Sequence, residues 1–84
     1  MNYKLEISRT AQNQLAKIND PFFKKITQKV LALKTNPRPP GCKKLKGETN
    51  WRIRVAYYRV IYEIKDDVLQ IIVIEIDHRK QIYQ

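Results

Sequence analysis

The sequence contains little cysteine, histidine or glycine, and the first two scarcities exclude whole classes of protein. A single cysteine, Cys42, cannot form an internal disulfide, so a reducing cytoplasmic location is expected. One cysteine and one histidine cannot supply the roughly four ligands of a structural zinc site, so we expect no metal and no cofactor. No apolar run approaches the roughly 18 residues of a membrane span, and the N-terminal residues lack the order of a signal peptide.

Acidic residues are also scarce, and the basic residues are clustered. The 84 residues include 17 lysines and arginines against 8 acids, which gives a net charge of +9. Between Arg38 and Arg59 there are seven basic residues and one acid, Glu48. Such a density favours a polyanionic partner or an acidic protein partner. The length and the hydrophobic content of 43% predict one domain over residues 1–84.

Hydrophobic periodicity predicts the element order β-α-α-β-β-β. Residues 2–7 alternate as a half-buried strand, and Ser8 is a candidate N-cap for a first helix. A second helix is expected to begin at Asp20-Pro21 and to run to about Asn36. The apolar run 68–76 predicts a central last strand. We therefore expect an α+β fold, with two N-terminal helices on one face of a mainly antiparallel sheet and a short C-terminal tail or helical turn.

The stretch 51–64 predicts a β-hairpin that turns at Ala56-Tyr57. With a two-residue loop, Arg54 faces Arg59 across the strand pair. Side chains alternate between the two faces of a strand. One face then forms a wall of the core, with Trp51, Ile53, Val55, Tyr58, Val60, Tyr62 and Ile64. The other face carries Arg52, Arg54 and Arg59.

Three arginines on one face indicate a bound anion. Like charges opposed across strands are destabilising, so removing Arg59 should relieve a repulsion. A phosphate ligand would explain the arrangement, because arginine offers it a bidentate fork. A simply solvated face is the alternative. In this interpretation the C-terminal tail folds back and brings His78, Arg79 and Tyr83 to the edge of the arginines.

Four segments in order resemble the RelE/ParE toxin superfamily, specifically its RelE-like branch: 44–47, 51–55, 58–63 and 78–83. The resemblance implies a RelE-like toxin of a type II toxin–antitoxin system. It implies a ribosome-dependent mRNA endonuclease that inhibits translation through attack of the RNA 2′-hydroxyl, without a metal. Its implied partners are a cognate RelB-like antitoxin, the ribosome and mRNA, with the toxin–antitoxin complex on operator DNA and no membrane.

The resemblance also assigns roles to residues. The catalytic residues it implies are Arg59, Arg79 and Tyr83, and His78 is a candidate for proton transfer because its unperturbed pKa lies near neutrality. The implied RNA- or ribosome-binding residues are Arg52, Arg54, Lys43, Lys44 and Lys46. Some members of the superfamily have lysine at the positions of Arg52 and Arg54, and that lysine is a candidate base. Arginine is a poor base, because it stays protonated. The Gly-Asp usual at the hairpin tip is Ala56-Tyr57 here.

Three other functions are compatible with the sequence. A ParE-like toxin that poisons DNA gyrase would use the same fold and would need no catalytic residues. A basic nucleic-acid-binding module would need only the charged patch, without chemistry. A structural interaction domain would use the patch to contact an acidic partner.

Overall fold

The computed structural model describes residues 2–45 and 49–78, and there it has two helices on one mixed sheet. The elements in chain order are β1 (Lys4–Ile7), α1 (Arg9–Ala16), α2 (Phe22–Ala32), β2 (Lys43–Lys44), β3 (Asn50–Val55), β4 (Tyr58–Lys65), a 3-10 turn (Asp66–Val68) and β5 (Gln70–His78). The strand order in the sheet is β1-β5-β4-β3-β2. β1 pairs with β5 in parallel and the other neighbours are antiparallel, which confirms the predicted fold class.

The second helix is shorter than predicted. It begins at Phe22 with Pro21 as the N-cap residue, one position later than predicted, and Asp20 Oδ1 accepts a hydrogen bond of 3.3 Å from the Lys24 amide. It ends at Ala32, so the expected end near Asn36 is wrong. After Ala32 the amides of Leu33 and the next two residues bond three residues back, which tightens the chain into turns before Pro37.

The core lies between the two helices and one face of the sheet. α1 packs against β5 and α2 against β3. Among the described residues, the largest side chains with under 2% exposure are Tyr62, Ile26, Leu33, Ile71, Val60 and Val73. The Tyr62 hydroxyl donates a hydrogen bond of 2.7 Å to the Pro37 carbonyl, and burial raises the pKa of that phenol. In this part of the chain no helix is long and apolar enough to cross a membrane.

A polar cluster outside the core ties the segment after α2 to the turn before β5. Arg38 makes a 2.8 Å ion pair with Asp66, whose Oδ1 also accepts a 2.7 Å hydrogen bond from the Tyr3 hydroxyl. These hydrogen bonds, from Arg38 first and then Tyr3, lower the pKa of Asp66. The Arg38 guanidinium also lies 5.0 Å from the ring centre of Trp51. These contacts hold the segment that follows α2 against Trp51 of β3 and against the turn before β5.

A β-bulge interrupts the pairing of β4 with β5. Ile61 pairs with Glu75 and Tyr62 with Val73, so Ile74 has no partner residue. Helix α1 holds the bulge in place. The Ser8 hydroxyl caps α1 by accepting the Ala11 amide at 3.0 Å and donates to the Ile74 carbonyl at 2.6 Å. The extra residue reverses the alternation of side chains along the second half of β5.

Candidate functional site

The arginine face has the register that the sequence predicts. β3 and β4 pair with Arg54 opposite Arg59 and Arg52 opposite Ile61, and the loop between the strands is Ala56-Tyr57. Arg54 is exposed, whereas Arg52 and Arg59 are half-buried. Ala56 takes φ 54°, a positive value that favours glycine. The turn therefore accepts a strained residue at its first position and still brings the arginines together.

Lys43 extends this face on β2. It pairs with Arg52, and residues opposite each other across two strands point to the same side of the sheet. A continuous row across the sheet then consists of Lys43, Arg52, Ile61 and Glu75. The predicted binding residue Lys44 pairs with Trp51 instead and shares the side of that indole. The basic surface is thus wider than the hairpin alone.

Asp77 completes the neighbouring row, beside Arg59. The two residues pair across β4 and β5, and Arg59 Nη2 lies 3.7 Å from Asp77 Oδ2. Their side chains are only 25% and 23% exposed. Arg59 Nε is buried and, within the described part of the chain, has no hydrogen-bond partner. Arg59 is therefore held against its own chain on one side and retains an unused donor.

Glu75 is a second acid on the arginine face. It lies two residues from Asp77 on β5 and is half-buried. Burial raises the pKa of Glu75, the adjacent Asp77 raises it further, and Arg59 acts in the opposite direction. The face is consequently a mixed set of cations and carboxylates, whereas the sequence pattern predicted only the cations.

His78 lies on the opposite side of the sheet from the arginines. It pairs with Tyr58, and their rings are 5.0 Å apart in an edge-on arrangement. Its ring also stacks on Tyr57 at 6.3 Å, and Phe22 contacts both tyrosines at 5.8 Å. The expectation that His78 lies at the edge of the arginine face is wrong, because the bulge turns His78 toward the helices.

The remaining predicted site residues fall outside the described part of the chain: Lys46, Arg79 and Tyr83. In residues 2–45 and 49–78, no three histidine, cysteine or acidic side chains come together as metal ligands. Cys42 is half-buried beside the core.

The sequence did contain a signal for the two acids on this face. Ile71 and Val73 are buried, and strict alternation from them would also bury Glu75 and Asp77. Two uncompensated acids in a core are costly. That conflict indicates that the alternation of buried and exposed side chains shifts by one residue within β5. The structure has this shift, and both acids lie on the same sheet face as Arg59.

Comparison with known proteins gives a family and a fold. Residues 5–83 match the profile of a family described as "ParE toxin of type II toxin-antitoxin system, parDE". No curated protein sequence matches the chain. Several solved structures, however, have a similar fold over almost the whole chain.

Three of those structures are complexes of toxins with antitoxins. The RelBE2 complex of Mycobacterium tuberculosis is 23% identical, with 94% of this chain and 100% of that chain covered and a TM-score of 0.82. The RelE–RelB complex of Pyrococcus horikoshii is 22% identical, with coverages of 94% and 97% and a TM-score of 0.84. The RelB–RelE complex of Methanococcus jannaschii is 28% identical, with coverages of 93% and 94% and a TM-score of 0.73.

Proposed function

The chain belongs to the ParE toxin family of type II toxin–antitoxin systems, and from its arginine face we propose that it cleaves mRNA on the ribosome as a metal-independent endoribonuclease. The observation that carries the proposal is the direct opposition of Arg54 and Arg59 on a sheet face that also holds Arg52 and Lys43. Opposed cations cost folding energy, and a bound phosphate removes that cost. An RNA backbone offers several phosphates to such a row.

The proposed reaction uses the nucleophile that RNA carries. The 2′-hydroxyl attacks the adjacent phosphate, and the enzyme stabilises the charge that develops on the phosphorane. Arg59 holds the scissile phosphate, because its guanidinium is held in place by Asp77 on the same sheet face as Arg52 and Arg54. Arg52 and Arg54 bind the flanking backbone. By resemblance, Arg79 binds a second phosphate and Tyr83 orients or stacks on the nucleotide.

The ribosome supplies alignment in this proposal. An in-line attack requires the 2′-oxygen, the phosphorus and the leaving oxygen to be nearly collinear, and holding reactants in such a geometry accounts for a large part of a catalytic effect. A small, open sheet face can bind phosphates without fixing the orientation of the ribose, so the ribosome must provide that orientation. Proton transfer by His78 is not part of the proposal, because its ring packs against Tyr58 on the other side of the sheet.

We also propose that a cognate antitoxin neutralises the chain. Three similar structures are toxin–antitoxin complexes. The net charge of +9 would accelerate association with an acidic partner, and the acceleration would weaken with added salt. An antitoxin that covers the arginine face would block the proposed site directly.

The test is cleavage of mRNA on purified ribosomes, with the 5′ ends of the fragments mapped. The expected result is cleavage that requires both the ribosome and Arg59, and no cleavage of the same mRNA without ribosomes. Intact mRNA and continued translation in cells that the toxin arrests would overturn the proposal.

A second candidate function is poisoning of DNA gyrase, which the match to the ParE family profile favours. A gyrase poison binds a protein and requires no phosphate site for catalysis. Gyrase-dependent double-strand breaks in DNA, with intact mRNA, would identify this function.

A further inference from the structure

The proposed reaction requires a group that accepts the proton of the 2′-hydroxyl. Arginine cannot serve, because its guanidinium stays protonated in proteins. The described part of the arginine face holds three other titratable groups near its centre or edge: Lys43, Glu75 and Asp77. A lysine ammonium must first lose its own proton, so the carboxylates are the better acceptors.

We infer that Glu75 is the proton acceptor of this site, an inference that rests on the proposed function and assigns its missing catalytic residue. Glu75 ends the row that contains Arg52, and it is the diagonal neighbour of Arg59 across β4 and β5. Diagonal neighbours in a sheet are about 7–8 Å apart, within reach of two long side chains. A phosphate held by Arg59 therefore lies within reach of the Glu75 carboxylate.

Asp77 is the weaker candidate, because Arg59 already engages its carboxylate at 3.7 Å. Proton transfer to Asp77 would break that ion pair just when Arg59 must hold the phosphate. We assign Asp77 as a positioning residue that orients Arg59. Glu75 then differs from Asp77 in having no ion pair among the described salt bridges.

The surroundings of Glu75 suit proton transfer. Burial and the negative charge of Asp77 both raise the pKa of Glu75, and the opposing effect of Arg59 is smaller. A carboxylate with a higher proton affinity is a stronger base, and a base works best when its pKa approaches the pH of the reaction. On this face the strands adjacent to β5 also carry Glu63 and Lys65 on β4 and Lys4 and Glu6 on β1, and β3 carries Arg52 and Arg54.

The step balances without any further reactant. The 2′-O–H bond breaks and its proton goes to a Glu75 carboxylate oxygen, while the 2′-oxygen forms a bond to phosphorus. The bond from phosphorus to the 5′-oxygen breaks, and water protonates the departing oxygen. The hydroxide left behind takes the proton from Glu75, which restores the carboxylate. The products are a 2′,3′-cyclic phosphate and a 5′-hydroxyl.

The experiment measures single-turnover cleavage of mRNA on ribosomes by the full chain, by Glu75→Gln and by a control, Glu63→Gln. Glu63 is a matched control, because it lies on the same face but at the other end of β4, paired with Asn50 and Ile72. Loss of a general base lowers the rate by about 10²–10⁴-fold. We expect that loss for Glu75→Gln with unchanged ribosome binding, and a rate within about twofold of the parent for Glu63→Gln.

A substrate with sulfur in place of the leaving 5′-oxygen separates the role of a base from that of an acid. A sulfur leaving group needs no proton, so it would rescue a variant that lacks the acid and would not rescue one that lacks the base. We expect no rescue of Glu75→Gln. Rescue would overturn the inference, because it would make Glu75 the proton donor.

Two further measurements keep the outcome decisive. If Glu75→Gln does not fold, Glu75→Asp replaces it in the experiment. The pH at which activity is lost on the acid side should be lower for Glu75→Asp than for the parent, because an aspartic acid is ordinarily the stronger acid. The parent itself should lose activity toward acid pH, and a flat profile would overturn the inference. If the parent cleaves mRNA and Glu75→Gln cleaves it less than about threefold more slowly, the inference about Glu75 is wrong and the proposed function stands. No parental cleavage on ribosomes would overturn the proposed function as well.

Discussion

Arg59 and Asp77 face each other across β4 and β5 with Nη2 and Oδ2 3.7 Å apart. The pair changes the expected effect of removing Arg59. Opposition to Arg54 alone predicts a gain in stability when Arg59 is removed, whereas the structure shows that the same change removes the Arg59 cation from Asp77, which lies beside Glu75. Arg59 is therefore compensated on one side and repelled on the other.

We expect Arg59→Ala to abolish cleavage and to lower the free energy of unfolding slightly. Loss of one preorganised charge at a phosphate lowers a rate by about 10²–10³-fold. Loss of a partly exposed ion pair costs about 0.2–1 kcal/mol. Ribosome-programmed cleavage and urea unfolding of the same preparation check both effects. Arg54→Ala is the control, since it removes the repulsion and leaves the Asp77 pair, and it should not be less stable than the parent.

Ala56→Gly should stabilise the protein. Ala56 takes φ 54°, where a β-carbon is disfavoured by about 1–2 kcal/mol and glycine is not. Glycine also adds freedom to the unfolded chain, so we expect a net gain of up to about 1 kcal/mol in urea unfolding. Ala32→Gly, in helix α2, should have the opposite sign. A loss of stability in Ala56→Gly would contradict the turn geometry.

Tyr62→Phe should destabilise the fold although it removes a single oxygen atom. The Tyr62 hydroxyl is buried and donates to the Pro37 carbonyl at 2.7 Å. Its removal leaves that carbonyl without this donor, at a cost of about 1–3 kcal/mol. Tyr57→Phe is the matched control, because the Tyr57 side chain is exposed, and its effect should be near zero. Equal unfolding midpoints for the two variants would refute the assignment.

Glu75→Gln should raise the melting temperature at neutral pH and lose that advantage in acid. The pKa of Glu75 is raised in the folded protein, first by burial and then by Asp77. The folded state consequently binds the proton more tightly than the unfolded state, so Glu75 favours folding below its unfolded pKa and loses that effect as pH rises through its folded pKa. Glutamine stays neutral throughout. Melting curves from acid to neutral pH test the sign, and a lower melting temperature at neutral pH would contradict it.

Local pattern was sufficient to predict the hairpin, because one observation determined its register. Alternating apolar and arginine positions on both sides of Ala56-Tyr57 allow a single pairing that buries one face, and the structure has that pairing. The turn chemistry alone argues against it, because two-residue loops favour glycine, asparagine or aspartate rather than Ala56-Tyr57. Burial of seven side chains outweighs one strained residue.

The end of α2 and the side of His78 were mispredicted for different reasons. Residues 33–36 are compatible with a helix by composition, and only Pro37 and the tightened hydrogen bonds stop it earlier. His78 was assigned to a tail that folds back after a strand ending at Ile76, whereas β5 continues to His78 and contains a bulge. The bulge is held by two hydrogen bonds: the Ser8 hydroxyl donates to the Ile74 carbonyl, and Gln14 Oε1 accepts from the Ile76 amide. The partners are 66 and 62 residues apart, so neighbouring residues in sequence do not encode the bulge.

Because of the extra residue Ile74, β5 contributes both to the core and to the charged face of the sheet. Before it, Ile71 and Val73 are interior residues, and changes there affect folding. After it, Glu75 and Asp77 face the arginines, so changes there alter charge while the interior stays packed. Substitutions at Glu75 and Asp77 can therefore change the charge of this surface while the buried residues of β5 stay packed. Adaptation to a new partner and maintenance of the fold become separable within one strand.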